Sequence, residues 1–306
     1  MVMSMQRTII ADSRDAISAL LGRLDIVMPT YERDPSLEQR VDQVMESWNF
    51  QLPRAHIISG ITITVTAYNH IRDLDTRVYI AVYSAIVIAM DCPDVLNALD
   101  FSDFHKQLLQ GHMQQDTGLL GELVKYLSAS WQYYSRFAAS CILTSSLDFV
   151  NGCILENTFP NLTIHHDALA FVEYRRARAG LAEAFAYFIW DKARFPDEME
   201  YVQAIPDAMS FINYLNDVLS SYKEAMRGES GTYLQDRAVL SGKSRSETLY
   251  DIIDDTAAAS ERVRAILGNG QARDAWEAFM VGYLSFHMSA PRYRLLEIVD
   301  AQYILA

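Results

Sequence analysis

Apolar residues recur every three to four positions over long stretches of the chain, which is the spacing of one face of an α-helix. These stretches cover residues 16–28, 78–90, 120–155, 168–190, 197–226, 248–267 and 272–288. The eight prolines fall mostly between the stretches, where helices tolerate them. Long helical segments without sheet patterns predict an all-α bundle.

Local signals refine this prediction at a few places. Ser36 with Gln39, and Ser244 with Glu247, have the spacing of capping boxes that open helices. Residues 57–66 (IISGITITVT) are rich in β-branched residues, which favour strands. A lone strand would have no partner, and tertiary contacts override propensity, so we expect a helix there as well.

The size and composition of the chain fit a globular protein with a large core. Its 306 residues suit one large domain or two small ones, and half of them are hydrophobic. No internal repeat divides the chain. Of the two options, we predict a single α-helical domain over residues 1–306. The net charge of −13 disfavours nucleic acid and anionic lipid as general partners. A polyanionic substrate therefore requires a local cluster of basic side chains or bound metal.

Three cysteines and the absence of a signal-like segment point to the cytosol. An odd, sparse set of cysteines is typical of a reducing compartment. Residues 1–12 contain no apolar run of signal-peptide length. The apolar stretch 78–90 is too short to span a bilayer and is typical of a buried helix. We therefore expect a cytoplasmic protein without a membrane span.

One polar face stands out within the stretch 197–226. Asn216, Ser220 and Glu224 stand at i, i+4 and i+8, so they share one helix face. Their amide, hydroxyl and carboxylate all offer oxygen, which Mg²⁺ prefers. Lys223 beside them is a point charge suited to phosphate. A solvated surface stripe is the alternative interpretation, but the apolar residues around these positions favour a face that lines a cavity.

Residues 227–245 follow this polar face directly (RGESGTYLQDRAVLSGKSR). They are long for a link between two helices and contain glycine and serine. Such a segment is either disordered or a functional lid. Its position after the polar face favours the lid.

The string 216–224 (NDVLSSYKE) resembles the NSE motif of class I terpene cyclases. Other segments resemble the central and last helices of the trichodiene synthase-like fungal branch. They are Ser146-Leu147-Asp148-Phe149, Gly152-Cys153, Glu156, Phe279-Met280, Gly282-Tyr283, His287, Arg292-Tyr293-Arg294-Leu295 and Glu297-Ile298. The resemblance extends over residues 78–298, with a weaker likeness at 31–33. The NSE string and the Arg-Tyr pair are specific when they occur together in this order.

The resemblance implies an α-helical barrel that binds the diphosphate of farnesyl diphosphate with three Mg²⁺ ions, for which Mn²⁺ can substitute. Asn216, Ser220 and Glu224 would be ligands of one ion. Arg292 and Tyr293 would donate hydrogen bonds to the diphosphate when the site closes.

The resemblance also implies a diphosphate-sensing arginine about forty residues before Asn216. Arg176 occupies this place in the sequence. Arg175 and Arg178 are near enough to remain alternatives.

The aspartate-rich motif of the family is altered in this chain. With Tyr83 kept in register, Met90 stands where the family has its first aspartate, and Asp91 and Asp94 match later ones. A thioether is a poor Mg²⁺ ligand. We expect Asp91 to be the ligand and Asp94 to be a second ligand or a supporting residue, although both aspartates would also be ordinary at a helix end.

Tyr83, Val87 and Asp91 recur every four residues, which places an aromatic and an aliphatic side chain below the expected metal ligand. Aromatic faces stabilise cations, so we assign Tyr83 and Val87 to the substrate pocket. Further aromatic candidates, which core packing would explain equally well, are Phe149, Trp190, Trp276 and Phe286.

The sequence thus predicts a sesquiterpene cyclase that ionises farnesyl diphosphate, cyclises the cation and loses a proton. A likeness to fungal humulene cyclases suggests α-humulene, and the trichodiene synthase resemblance implies a homodimer. Two alternative functions remain. A chain-elongating prenyltransferase would share the fold and substrate but would carry two aspartate-rich motifs. A catalytically inactive binding protein would account for Met90 in place of the first aspartate. No HExxH, P-loop, nucleophile elbow or GxGxxG sequence supports another enzyme class.

Overall fold

A computed structural model describes residues 2–99, 101–114, 118–159, 162–300 and 302–305. These residues contain helices and turns but no β-strand, so the predicted all-α class is confirmed. The helices are α1 (Val2–Leu24), α2 (Pro35–Glu46), α3 (Arg54–Ala67), α4 (Leu74–Met90), α5 (Pro93–Ala98), α6 (Phe104–Leu109), α7 (Leu119–Tyr133), α8 (Arg136–Thr158), α9 (Leu169–Ala179), α10 (Ala182–Tyr187), α11 (Ile205–Arg227), α12 (Tyr233–Ser241), α13 (Arg245–Leu267) and α14 (Gln271–Ser289). Buried apolar residues form a core cluster that extends from Ala16 to Leu305.

Two long predicted helices are each broken in two. The stretch 120–155 is interrupted at Ser135, whose ψ of 168° is extended, between α7 and α8. The stretch 168–190 is interrupted between α9 and α10 at Leu181, whose φ of 50° is left-handed. The prediction of continuous helices was wrong there, because both halves bury apolar residues and the periodicity runs across the break.

The two predicted capping boxes have different outcomes. At the start of α13, Ser244 Oγ accepts from Glu247 N at 3.2 Å, and Ser244 N donates to the Glu247 carboxylate at 2.8 Å. That box is confirmed. The box at Ser36 is wrong, because Asp34 caps α2 instead and accepts from Leu37 N at 3.0 Å. Proline in the first turn of α2 fixes the helix start one residue after Asp34.

The strand-like segment 57–66 is helical, as expected, and forms most of α3. Its threonine hydroxyls donate to carbonyls four residues earlier, as in the 2.9 Å bond from Thr64 to Gly60. Nearly all of its residues are buried, and its main neighbours are α4 and α14. Tertiary packing therefore overrides the β propensity.

Two glycines allow α3 to approach its neighbours closely. A Cβ atom at Gly60 would lie 2.2 Å from the carbonyl oxygen of Ala81 on α4. A Cβ atom at Gly282 on α14 would lie 2.1 Å from the carbonyl oxygen of Thr66. Backbone atoms cannot yield as a flexible side chain does, so these positions set the helix spacing.

One described helix, α8, is long and apolar enough by length and composition to cross a membrane. Half of its most apolar window is buried against the rest of the structure. Core helices of globular proteins meet the same two criteria, so the observation is weak evidence for a span.

The close packing at Gly60 leads to a prediction. Gly60→Ala should lower the free energy of unfolding by about 1–3 kcal/mol, because the added methyl group overpacks against Ala81. Gly22→Ala is the matched control, since no atom lies within 4 Å of its added Cβ. That change should stabilise α1 by about 0.5–1 kcal/mol. Urea unfolding followed by circular dichroism measures both, and equal effects would contradict the packing argument.

Candidate active site

The C-terminal half of α11 carries the polar face predicted from the sequence. The helix has a proline in its first turn and ends at Gly228, which adopts a left-handed φ of 68°. Asn216, Ser220 and Glu224 all line one cavity of about 560 Å³. The face is therefore directed into a cavity, and the alternative of a solvated surface stripe is wrong.

The same cavity collects most of the other predicted site residues. Parts of α3, α4, α8, α9, α10, α11 and α14 enclose it together with the turn Pro291–Tyr293. Its wall includes the predicted residues Val87, Asp91, Arg176, Asn216, Ser220, Lys223, Glu224, Arg292 and Tyr293. Segments separated by more than 200 residues in the sequence thus meet at one place.

The amide of Asn216 is oriented from several sides. Its Oδ1 accepts from Arg176 at 3.3 Å, and its Nδ2 lies 3.1 Å from Nε2 of His287. Nδ1 of His287 is 2.8 Å from the carbonyl of Tyr283, so it carries the proton and Nε2 accepts from Asn216. Burial lowers the pKa of His287 to about 3, which keeps this imidazole neutral. Asn216 also donates to the Tyr293 hydroxyl at 3.4 Å.

Ser220 and Glu224 form the next turns of the same face. Ser220 Oγ donates to Oε1 of Glu224 at 2.5 Å. Lys223 Nζ lies 3.4 Å from the same oxygen, and its side chain is only 12% exposed. The carboxylate and the ammonium group therefore occupy the wall next to each other.

Arg176 is held by α11 through three contacts. Nε donates to Asp217 at 2.9 Å, and NH2 donates to the carbonyl of Asn213 at 2.9 Å as well as to Asn216. The side chains of Arg176 and Asp217 are each 10% exposed. Burial raises the pKa of Asp217 to about 6, while the guanidinium favours its ionised form. The pair is therefore a buried ion pair at neutral pH.

The two neighbouring arginines of α9 have other partners. Arg175 forms an ion pair with Asp236 on α12. The guanidinium of Arg178 lies 3.7 Å above the ring of Tyr174 and 3.8 Å from Asp148. Among the three arginines, Arg176 is thus the one beside the oxygen-bearing face of α11.

At the end of α4 the two residues of the altered motif point in different directions. Met90 is fully buried in the core. Asp91 follows as the C-cap, lines the cavity and is 54% exposed. Its Oδ2 lies 3.5 Å from NH2 of Arg292, and the charges of Lys223 and Arg176 also act on its carboxylate. The expectation that Asp91 rather than Met90 faces the site agrees with this geometry.

The short turn after α14 brings Arg292 and Tyr293 to the cavity. Arg294 adopts a left-handed φ of 61° directly after them, which ends the turn. The Tyr293 ring lies 4.3 Å from the imidazole of His287 and is 4% exposed. Arg292 is 29% exposed beside Asp91.

The other part of the wall is apolar and aromatic. It includes Ile63, Val87, Phe149, Leu181, Phe185, Ile212, Tyr283 and Phe286. Trp190 and Trp276 are core residues instead, and Trp190 stacks on Tyr201 at 4.8 Å. The cavity thus has a charged portion and an apolar portion.

Tyr83 is not part of the cavity wall, which corrects its assignment to the pocket. Its hydroxyl hydrogen-bonds Ser146 Oγ at 2.6 Å, and its ring packs edge-on against Phe188 at 5.0 Å. Helix α4 is buried on nearly all sides, so Tyr83 contacts the core behind the wall.

Asp94 is also outside the cavity wall. It lies in the first turn of α5 and is exposed to solvent. The cysteine and proline between the two aspartates end α4 and start a new helix, so Asp94 does not follow Asp91 into the cavity.

Three site residues were not assigned a role from the sequence. Asp217 is part of the motif string, and its contact with Arg176 depends on how α9 packs. His287 orients Asn216 across 71 positions of sequence. Glu156 on α8 adds a carboxylate to the wall, seven residues after Phe149, which lines the same cavity.

Comparison with known proteins identifies the family of the chain. Residues 39–303 match the family model described as trichodiene synthase (TRI5). The chain belongs to the trichodiene synthase family. It is 44% identical over 293 residues to "Monoterpene synthase 25" of Postia placenta, covering 95% of this chain and 88% of that protein.

More distant relatives carry similar names. "Terpene synthase BipA" of Cochliobolus sativus is 35% identical over 242 residues, or 77% of this chain and 73% of that protein. "Trichodiene synthase" of Fusarium sporotrichioides is 28% identical over 176 residues, or 55% of this chain and 46% of that protein. The chain is thus a class I terpene synthase, a lyase that acts on a prenyl diphosphate, and its family uses a divalent metal.

The side chains present fit such a metal. An amide, a hydroxyl and a carboxylate oxygen lie on one face of α11, and hard divalent cations prefer oxygen ligands. Among the described residues, His165, His166 and Asp167 also lie within 4.8 Å of one another. They are exposed before α9 and are not part of the cavity wall.

The ion pair of Arg176 leads to a prediction. Asp217→Asn should lower turnover at least about tenfold, since a misplaced substrate-positioning group costs up to about 100-fold. Steady-state release of diphosphate from a prenyl diphosphate measures this loss. Asp148→Asn is the matched control, because its partner Arg178 lies outside the cavity wall. Equal turnover in wild type and Asp217→Asn would show that Arg176 needs no anchor.

Proposed function

We propose that this terpene synthase is a sesquiterpene cyclase that uses farnesyl diphosphate and three Mg²⁺ ions. One observation carries the proposal. The oxygen-bearing face of α11 and Asp91 of α4 line the same cavity, together with the basic side chains of Arg176, Lys223 and Arg292.

The charged portion of the cavity suits the diphosphate. Arg176, Lys223, Arg292 and the Tyr293 hydroxyl would donate hydrogen bonds to its oxygens. The carbon–oxygen bond then breaks, and its electron pair leaves with the diphosphate. Basic groups placed where negative charge develops stabilise that step. Asn216, Ser220 and Glu224 would hold one metal ion and Asp91 would contribute to the others, and metal supplies further positive charge to the leaving group.

The apolar portion suits the hydrocarbon cation. Phe149, Phe185 and Phe286 present aromatic side chains to the cavity, and aromatic faces attract cations. A double bond of the folded chain then attacks the cationic carbon and closes a ring. Loss of a proton, for which the departed diphosphate is the proposed base, gives a cyclic hydrocarbon.

The segment 227–245 is the proposed lid over this reaction. It contains the helix α12 and is not a structureless loop. Residues 229 and 231–233 line the cavity, so the segment is placed to exclude water from the cation.

Geranyl diphosphate is the second candidate substrate. The observation that favours it is the 44% identity to a protein named a monoterpene synthase. A cavity of about 560 Å³ lies within the usual range of ligand pockets, about 300–1,000 Å³, and suits either chain length. α-Humulene as the product, a homodimer, use of Mn²⁺ and a cytoplasmic location stay predictions.

Incubation with single prenyl diphosphates tests the function. Purified protein receives farnesyl, geranyl or geranylgeranyl diphosphate with Mg²⁺, and the extract is analysed by gas chromatography. We expect a cyclic hydrocarbon from farnesyl diphosphate, and none with a chelator. A requirement for a second prenyl substrate would indicate a chain-elongating prenyltransferase. Inertness toward all three substrates would sink the cyclase proposal.

Glu224→Gln tests the metal site on α11. It should lower turnover roughly 100-fold, because even groups that only orient a metal ligand contribute about 10–100-fold. Raising the Mg²⁺ concentration should restore part of the activity. Glu200→Gln, an exposed change outside the cavity wall, is the control. Unchanged turnover in Glu224→Gln would mean that this carboxylate does not bind the metal.

The two aspartates near the end of α4 give an ordered prediction. Asp91→Asn should lower turnover about tenfold or more, because Asp91 lines the cavity. Asp94→Asn should change it less than about twofold, within the usual range of surface changes. Both are measured at several Mg²⁺ concentrations. The reverse order would place the aspartate motif in a different register.

A further inference from the structure

The segment that follows α11 borders the cavity and continues into α12. Gly228 and Gly231 in this segment adopt left-handed φ values of 68° and 71°, which favour glycine. Glu229, Thr232 and Tyr233 line the cavity beside Gly231. This segment, residues 228–232, is called the crossing segment below.

Arg175 of α9 holds the crossing segment and α12 together. Its NH2 donates to the carbonyl of Gly231 at 2.9 Å. The same nitrogen forms the ion pair with Asp236, and the two side chains are 20% and 16% exposed. One guanidinium therefore fixes the end of the crossing segment and the first turn of α12.

Glu173, two residues before Arg175 on α9, makes a second connection. It accepts from the Tyr233 hydroxyl at 2.7 Å. The hydroxyl accepts in turn from Arg237, whose other nitrogen donates to Asp255 of α13 at 2.6 Å. The Tyr233 ring also stacks on Tyr214 of α11 at 5.9 Å. A continuous polar chain thus runs from α9 through α12 to α13.

Neighbouring residues of α9 contact different helices. Arg176 is directed to α11 and its oxygen-bearing face, whereas Arg175 and Glu173 are directed to α12. The helix that carries the proposed diphosphate contact therefore also carries both connections to the crossing segment. Arg175 is itself one of the residues that line the cavity.

We propose that Arg175 and Glu173 are positioning residues that hold the crossing segment over the cavity and keep water from the cation. This inference rests on the proposed function. With the segment in place, the cation loses a C–H proton and becomes an alkene. With the segment displaced, a water oxygen donates a lone pair to the cationic carbon, a C–O bond forms and a proton leaves to solvent. The product is then a terpene alcohol.

The chain offers matched variants for the test. Arg175→Met keeps an unbranched side chain but removes its charge and its hydrogen bonds. Tyr233→Phe removes only the hydroxyl that donates to Glu173. Arg178→Met is the control, because Arg178 lies on the same helix but contacts Tyr174 and Asp148 instead.

The first measurement is the ratio of terpene alcohols to hydrocarbons made from farnesyl diphosphate in ¹⁸O-labelled water. Arg175→Met and Tyr233→Phe should raise this ratio roughly three- to tenfold, as expected when a partly buried hydrogen bond is lost. The alcohol should carry ¹⁸O. The control should keep the wild-type ratio. An unchanged ratio in both variants would overturn the water-exclusion proposal.

The second measurement is hydrogen exchange of residues 229–241 without substrate, which needs no turnover. Exchange there should be faster in Arg175→Met and Tyr233→Phe than in wild type and the control. Unchanged exchange would show that α9 does not hold the segment. If the variants exchange faster but the wild type releases no terpene, the contacts are supported and the proposed function is rejected. Failure of this inference is therefore distinguishable from failure of the proposed function.

Discussion

The buried ion pair between Arg176 and Asp217 connects the two helices on which the charged end of the cavity depends. Both side chains are about nine-tenths buried, and an uncompensated charge at such a depth costs about 3–5 kcal/mol. Arg176 also binds the carbonyl of Asn213 and the amide of Asn216, so one side chain of α9 contacts α11 at three positions and fixes where the two helices meet. The orientation of Asn216, and with it the oxygen-bearing face, follows from these contacts.

Ion pairs of this kind explain how an acidic protein can bind a polyanion. The chain carries a net charge of −13, which repels diphosphate at long range. Within the cavity, Arg176 is held by Asp217 while Lys223 and Arg292 lie beside Glu224 and Asp91. Each basic group is thus fixed by a carboxylate before any ligand arrives. Such preorganisation avoids the cost of collecting like charges at the moment of reaction.

The sequence predicted those parts of the site that depend on the geometry of a single helix. Asn216, Ser220 and Glu224 share a face because their spacing matches the helical period, and Asp91 was separable from Met90 by chemistry alone. Contacts between helices could not be predicted from the sequence. The hydrogen bond that Asn216 donates to His287 depends on how α14 packs on α11, and no local pattern encodes that.

The errors have related physical causes. Tyr83 is spaced four residues from Val87, which lines the cavity. Helix α4 is buried on nearly all sides, however, and helical spacing does not distinguish a buried side that lines a cavity from one that packs in the core. The break at Leu181 was invisible because apolar spacing continues across it. The helix in 57–66 was predicted against its own residue preferences, from the lack of any partner strand. The family resemblance predicted what helical spacing could not, because it assigned Arg292 and Tyr293 to the site although they lie far from the other site residues in the sequence.

The tight packing of α3 also bears on how the chain is made. Residues 57–66 prefer β structure and are helical because α4 and α14 pack against them. Helix α14 is synthesised more than 200 residues later, so a growing chain carries a β-prone apolar segment without its final cover. Exposed segments of this kind pair with other chains and aggregate. We therefore expect the time between the synthesis of α3 and that of α14 to be the period in which this chain is most prone to aggregate.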